Sequence, residues 1–311
     1  MAATAAAFPT PLLAQTRALR LVVPFPAGGA TDIVARAISE PLAKEMGVPV
    51  IVDNRAGAGG SIGMAEVARA APDGWTLGVA TTSTHGVNPA VYKKLPYDAI
   101  KDFAPVAELV KAPAVLVVPS SLGVSDYAAF LALLKSRPGR LAYASAGVGT
   151  IGHMWGELFK STTNTFMLHI PYRGAAPAIN DLLGGQVQAY FDQVASALPH
   201  IQSGKLKALA VSWPRRLEIL PQVPTFGELS LFSNNFPSWF GLAAPARTPD
   251  TAIRRLHAAV MKGLNDKAIQ ERLIRQGLYP SDLLPEEFGV QIRKEIDRMQ
   301  RVARFAKIQL D

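Results

Sequence analysis

The chain contains no cysteine, which excludes disulfides, thiolate metal sites and thiol nucleophiles. It has no uninterrupted apolar run of the ~20 residues a membrane helix needs, so nothing in it reads as a span. Histidine is scarce, and His85, His153, His169, His200 and His257 show no metal-type spacing with a neighbouring carboxylate, so no metal site is expected. A G-x-S-x-G elbow, a phosphate loop ending in Lys-Ser/Thr and paired carboxylates for acid–base work are all missing. Those absences weaken a hydrolase reading and argue against nucleotide triphosphate hydrolysis. The formal charge is +8, but the basic residues are scattered. Their densest stretch, Ile292 to Lys307, mixes in acids at the spacing of a helix's wet face. Nucleic acid is therefore not an expected partner.

What the chain does have is glycine at telling places. In LVVPFPAGGATDIVARAI, Leu21 to Ile38, an apolar run stops at a Pro/Gly turn and a helix-like pattern begins at Thr31-Asp32. YASAGVGTIGHMWGELF, Tyr143 to Phe159, repeats the arrangement in the second half. Strand–turn–helix junctions of this kind bind small anions, because unpaired N–H groups and the helix dipole both favour negative charge. N–H groups at Ala27–Gly29 and at Ala146–Thr150, with the Ser145 and Thr150 hydroxyls, are the candidate donors. One turn in each half suggests a cleft that grips a small anion from both sides.

With 311 residues, 49% of them hydrophobic, the chain fits two globular domains. Residues 1–16, small and apolar with no charge before Arg17, read as the apolar part of a secretory signal cut before Gln15. From Leu19 onward strand-like and helix-like runs alternate, which predicts an α/β fold with mainly parallel sheets. Ala114–Pro119 reads as a buried strand crossing between domains, and Phe236–Pro245 as the return. The expected division is residues 17–120 plus 240–311 for the first domain, with 121–239 inserted as the second and hinges near Pro119–Leu122 and Phe236–Gly241.

Other segments carry alternatives. GVGTIG at Gly147–Gly152 matches the dinucleotide fingerprint in a strand-to-helix context, which keeps a nicotinamide-dependent oxidoreductase as a second reading. The next strand ends at Pro171-Tyr172-Arg173, without the acid that would hold a ribose. AGAGGSIG, Ala56 to Gly63, is either a ligand loop or a packed turn. TTSTHG, Thr81 to Gly86, follows a strand and gathers hydroxyls where open sheets bind ligands. Asp192, at a strand end, is placed to orient a ligand amine or a cleft loop.

VPFPAGGATD, VDNRAGAGGSIG, APDGWTL, YASAGVGTIGH, IPYRGAAPAINDLLGGQV and SWFGLAAP together resemble the Bug family, the extracytoplasmic solute receptors of tripartite tricarboxylate transporters. The motifs run in family order from about Arg20 to the C-terminus. PFPAGG stands where PFAPGG is common, and FDQV where an Asn often follows the Asp. The resemblance implies a type II periplasmic binding-protein fold, two α/β domains closing on a carboxylate. It further implies a monomeric receptor with no cofactor, working in the periplasm with membrane transporter subunits or, alternatively, feeding a sensor kinase. Carried over by position, Phe25, Pro26, Ala27, Gly28, Gly29 and Thr31 form one carboxylate loop. Ser145, Ala146, Gly147, Gly149 and Thr150 form the other, and Thr81, Ser83, His153, Tyr172 and Asp192 line the cleft.

Overall fold

The computed structural model describes residues 17–310; the signal-like segment expected at 1–16 lies outside them. The chain begins with strand β1 (Leu19–Val23), buried on both faces, which feeds α1 (Ala30–Met46). β2 (Val50–Asn54), α2 (Ser61–Ala68) and β3 (Thr76–Thr81) follow, then a π-helical turn at Ser83–Val87, the short α3 (Asn88–Val91) and β4 (Phe103–Ala112). The second half holds β5 (Ala114–Pro119), α4 (Tyr127–Ser136), β6 (Ala142–Ser145), α5 (Ile151–Thr163), β7 (Leu168–Pro171) and α6 (Ala175–Leu183). It continues with β8 (Ala189–Gln193), α7 (Val194–Gln202) and β9 (Leu206–Val211). The chain then returns through β10 (Ser238–Pro245), α8 (Asp250–Leu264), α9 (Lys267–Arg275), β11 (Tyr279–Pro280) and α10 (Pro285–Phe305).

Two sheets result, ordered β11-β4-β10-β3-β1-β2 and β7-β6-β8-β5-β9. Both are mixed, which corrects the mainly parallel expectation. β1 pairs parallel with β2 and β3, but β10 runs antiparallel to β3 and β4. In the second sheet β6 is parallel to β7 and β8, and β5 antiparallel to β8 and β9. The cause is the direct passage between sheets. A strand that leaves one sheet and enters the next without a crossover helix has no geometric need to run parallel.

That passage also differs from expectation. β5 belongs wholly to the second sheet, so the chain crosses at Pro113 and not near Pro119–Leu122. On return, β10 is already in the first sheet from Ser238, which puts the second crossing between Val211 and Ser238. The Ser238 hydroxyl donates to Ala112 O at 3.1 Å and ties the two crossing strands together.

Each sheet is covered on both faces by buried apolar residues. Leu21, Val79 and Leu109 pack with α1 and α8 on one face of the first sheet, and Met64, Trp239 and Phe288 on the other. α10 bridges the halves: Phe288 and Ile292 join the first sheet's core, while Met299 and Ala303 join the cluster of Trp155, Phe159 and Phe191. Among the described residues no helix is long and apolar enough to cross a membrane.

Candidate functional site

A cleft with an empty volume of about 530 Å³, part of it open to solvent, lies between the two halves. The way its walls are built decides what it can hold. The loop after β1 is fixed from behind by Asp32, which is 4% exposed. Asp32 accepts from Gly28 N–H at 3.1 Å, Arg36 Nε at 2.9 Å and Asn54 Nδ2 at 3.1 Å, and Asn54 also donates to Phe25 O at 3.0 Å. Burial opposes ionisation of Asp32, but the Arg36, Gly28 and Asn54 hydrogen bonds outweigh it and hold the carboxyl below its ordinary range.

One expectation is therefore corrected. The Gly28 N–H is already spent on Asp32, and Ala27 and Gly28 are exposed and do not line the cleft. Phe25, Pro26, Gly29 and Thr31 do line it, joined by Ala30. The first intrahelical bond of α1 runs from Ile33 N–H to Gly29 O at 3.0 Å, so the N–H groups of Ala30 to Asp32 have no acceptor within the helix. Gly29 at the N-cap provides no side-chain cap.

The second loop spends its donors internally too. Gly147 N–H donates to Ser145 Oγ at 3.2 Å, Gly149 N–H to His153 Nδ1 at 3.4 Å and Thr150 N–H to Gly147 O at 3.3 Å. Ser145, Gly147, Gly149 and His153 do not line this cavity, whereas Ala146 and Thr150 do; Gly147 lines the adjoining space instead. Ser145 Oγ meets His169 Nε2 at 2.7 Å, and the His169 ring stacks on His153 at 4.1 Å between centroids. Burial, aided by the charges of His153 and Lys160, pushes His169 down to about 3, so this pair is neutral. His153 supports the loop from behind and does not line this cavity. Tyr172 is also outside the cleft proper, its hydroxyl donating to Asp181 at 2.8 Å.

Thr81, Ser83 and Asp192 line the cleft. Ser83 Oγ accepts from Ile151 N–H of the opposite half at 3.0 Å, which leaves the hydroxyl proton for a ligand. Asp192 accepts from Ser196 Oγ at 2.6 Å and Gln193 N–H at 2.8 Å, and burial pushes its carboxyl up to about 6. Gly152, last glycine of the dinucleotide-like pattern, is explained by packing: a Cβ there would lie 2.6 Å from Phe191 O. Thr82, Ile151, Ala175, Gln193 and the β10 residues Ser238, Trp239 and Phe240 also line the cleft and were not anticipated. The strand–turn–helix signal that marked the two loops also exists before Ala175 and Val194, at Gly174 and Gln193.

Four helices thus begin at this cavity. The N-cap or first helical residue of α1, α5, α6 and α7 lines it, and none of these helices has a side-chain cap. α4 and α9, away from the cleft, are capped by Asp126 and Asp266, whereas α2 and α8, which do not line this cavity either, are not, so it is the position of the four termini and not the missing cap alone that marks the cavity. Among the described residues no Lys or Arg lines the cavity, and Asp192 is its only acid. The site offers uncharged backbone donors and converging dipoles.

Fold and site together define a two-sheet α/β binding protein whose cleft suits an anion. The family described as tripartite tricarboxylate transporter family receptor matches residues 34–306, and the chain belongs to that family. It is similar to protein BugT of Bordetella pertussis, 37% identical over 93% of this chain and 89% of that one. Among solved structures it resembles MatC of Rhodopseudomonas palustris with bound malate, at a TM-score of 0.88 and 35% identity over 92% of this chain and 98% of that one. It also resembles an R. palustris protein with adipate, at 0.92 and 33%, over 95% and 99%. The fold class expected from the sequence, a two-domain periplasmic binding-protein architecture, agrees with these likenesses.

Proposed function

We propose that the protein captures a small carboxylate in this cleft and presents it, in the periplasm, to the membrane subunits of a tripartite tricarboxylate transporter, without chemical change to the solute. The observation that carries this reading is the convergence of four uncapped helix N-termini on a cavity that, among the described residues, has no cationic side chain. Backbone donors and dipoles neutralise a carboxylate in place and release it intact. The malate and adipate bound to the two similar structures support the same ligand class. Closure follows from contacts across the cleft. Tyr92 donates its hydroxyl to Val148 O at 3.1 Å, and Ile151 N–H donates to Ser83 Oγ. A ligand touching both halves favours this closed form by its differential affinity for it.

A panel of mono- and dicarboxylic acids in a thermal-shift assay tests the proposal. A ligand present at ~100 times its dissociation constant adds about 2.7 kcal/mol of stability and raises the melting temperature accordingly. A panel in which no carboxylate shifts the transition would overturn it.

A further inference from the structure

The cleft has a second chamber. Phe25, Pro26 and Ala146 line both the inner cavity and an outer one of about 940 Å³ of empty space, part of it open to solvent. The outer walls come from residues 56–60 and Tyr92 on one side and from Val148 and Pro171–Gly174 on the other. These walls are largely apolar and aromatic. Among the described residues Arg173 is the only Lys or Arg lining either chamber, and Asp192, in the inner one, is the only acid.

Arg173 has no role in holding the fold. It is exposed and, among the described residues, makes no hydrogen bond or ion pair. Asp181, eight residues along the chain, accepts instead from the Tyr172 hydroxyl. A planar guanidinium left free beside an apolar passage matches a carboxylate fork.

The two chambers impose an order on a ligand. Helix N-termini in the inner cavity satisfy one carboxylate. A second carboxylate held there as well would meet the buried Asp192 at low dielectric, where like charges repel strongly. Directed outward instead, past Phe25 and Pro26, it reaches the chamber where Arg173 stands free.

We infer that Arg173 is a specificity-determining residue that selects acids carrying a second anionic group beyond an apolar spacer over monoacids of the same length. The inference rests on the carboxylate reading of the inner cavity.

Calorimetric titration of the wild type and Arg173→Gln with butanoate, hexanoate, butanedioate, hexanedioate and octanedioate tests it. The variant should lose about tenfold or more in affinity for the diacids that span both chambers, and change by less than about twofold for the monoacids. Arg173→Lys should restore part of the loss, and raising salt should narrow the difference, because an exposed charge is screened. Equal diacid affinity in wild type and Arg173→Gln, or an equal loss for monoacids and diacids, overturns the inference. Wild type that binds monoacids but no diacid does so too, while leaving the carboxylate reading intact. Failure of every acid on the wild type removes the carboxylate reading itself.

Discussion

Replacing Asp192 with Asn should reverse part of the protein's pH dependence. Asp192 is 2% exposed at the end of β8 and lines the cleft. Burial raises its pKa from 3.8 to about 6, and hydrogen bonds from Ser196, Gln193 and Tyr190 offset only part of that. A group that holds its proton more tightly folded than unfolded contributes stability that is complete below the unfolded value and lost as pH rises through the folded one. The window here is therefore from 3.8 to about 6. At about 1.4 kcal/mol per pH unit this is worth about 3 kcal/mol. Asn cannot ionise, so it escapes the loss. Below pH 4 Asp192→Asn should be equal to the wild type or up to ~1 kcal/mol weaker, from an imperfect hydrogen bond to Ser196. Above pH 7 it should be more stable by roughly 2–3 kcal/mol. Urea unfolding at half-unit steps from pH 4 to 8 reads the difference directly. A bound carboxylate adds a second negative charge, so wild-type affinity should weaken above pH 6 by up to about tenfold per unit while the variant's stays flat. Parallel stability curves for the two proteins across the whole range would refute the reasoning, because a buried, destabilised carboxylate cannot be silent.

Ser83→Ala leaves the Ile151 N–H without its acceptor across the cleft, and should weaken carboxylate binding by roughly tenfold (~1–2 kcal/mol) with a smaller effect on unliganded stability; calorimetry and melting of the apo protein separate the two. Gly59→Ala puts a Cβ 2.9 Å from Val148 O of the opposite half, at a residue with φ +62°, so the closed form should be penalised. Small-angle scattering at saturating ligand should then show a larger radius of gyration than wild type, and an unchanged radius would count against closure through this contact.

Local pattern carried most of the fold. Local pattern predicts helices over Ala175–Leu183 and Asp250–Leu264, the spans of α6 and α8, because Gly174 and Pro249 punctuate their starts and their apolar spacing is regular. β4 carries no strand signature of its own, because Glu108, Lys111 and Pro105 interrupt its apolar run. Glu108 is buried there with Ser281 and Gln291, far along the chain, donating to it. α7 lacks a clear helix signature, with Pro199 inside it and no cap. Strand direction is not written locally at all, which is why strand–helix alternation predicts mainly parallel sheets where both are mixed.

The site was legible as a pair of loops but not as a set of donors. Glycine and proline placed the two turns, yet which N–H groups stay free depends on acceptors supplied from elsewhere: Asp32 takes Gly28, and Ser83, in the other half, takes Ile151. A backbone donor has no sequence letter. A cavity built from helix starts therefore shows in a sequence only as places where Ser, Thr, Asp or Asn do not cap, as at Gly29, Gly174 and Gln193. Thr150 sharpens the point: it is a good capping residue in the right position, but its hydroxyl donates back to Gly147 O at 2.8 Å, and the first N–H of α5, that of Ile151, goes to Ser83 Oγ of the other half instead. The missing cap costs these helices stability when the cleft is empty, and an anion bound there supplies what the side chains withhold. Closure and anion capture are on this account one event, since α1 belongs to one half and α5, α6 and α7 to the other, and an anion touching all four holds the halves together.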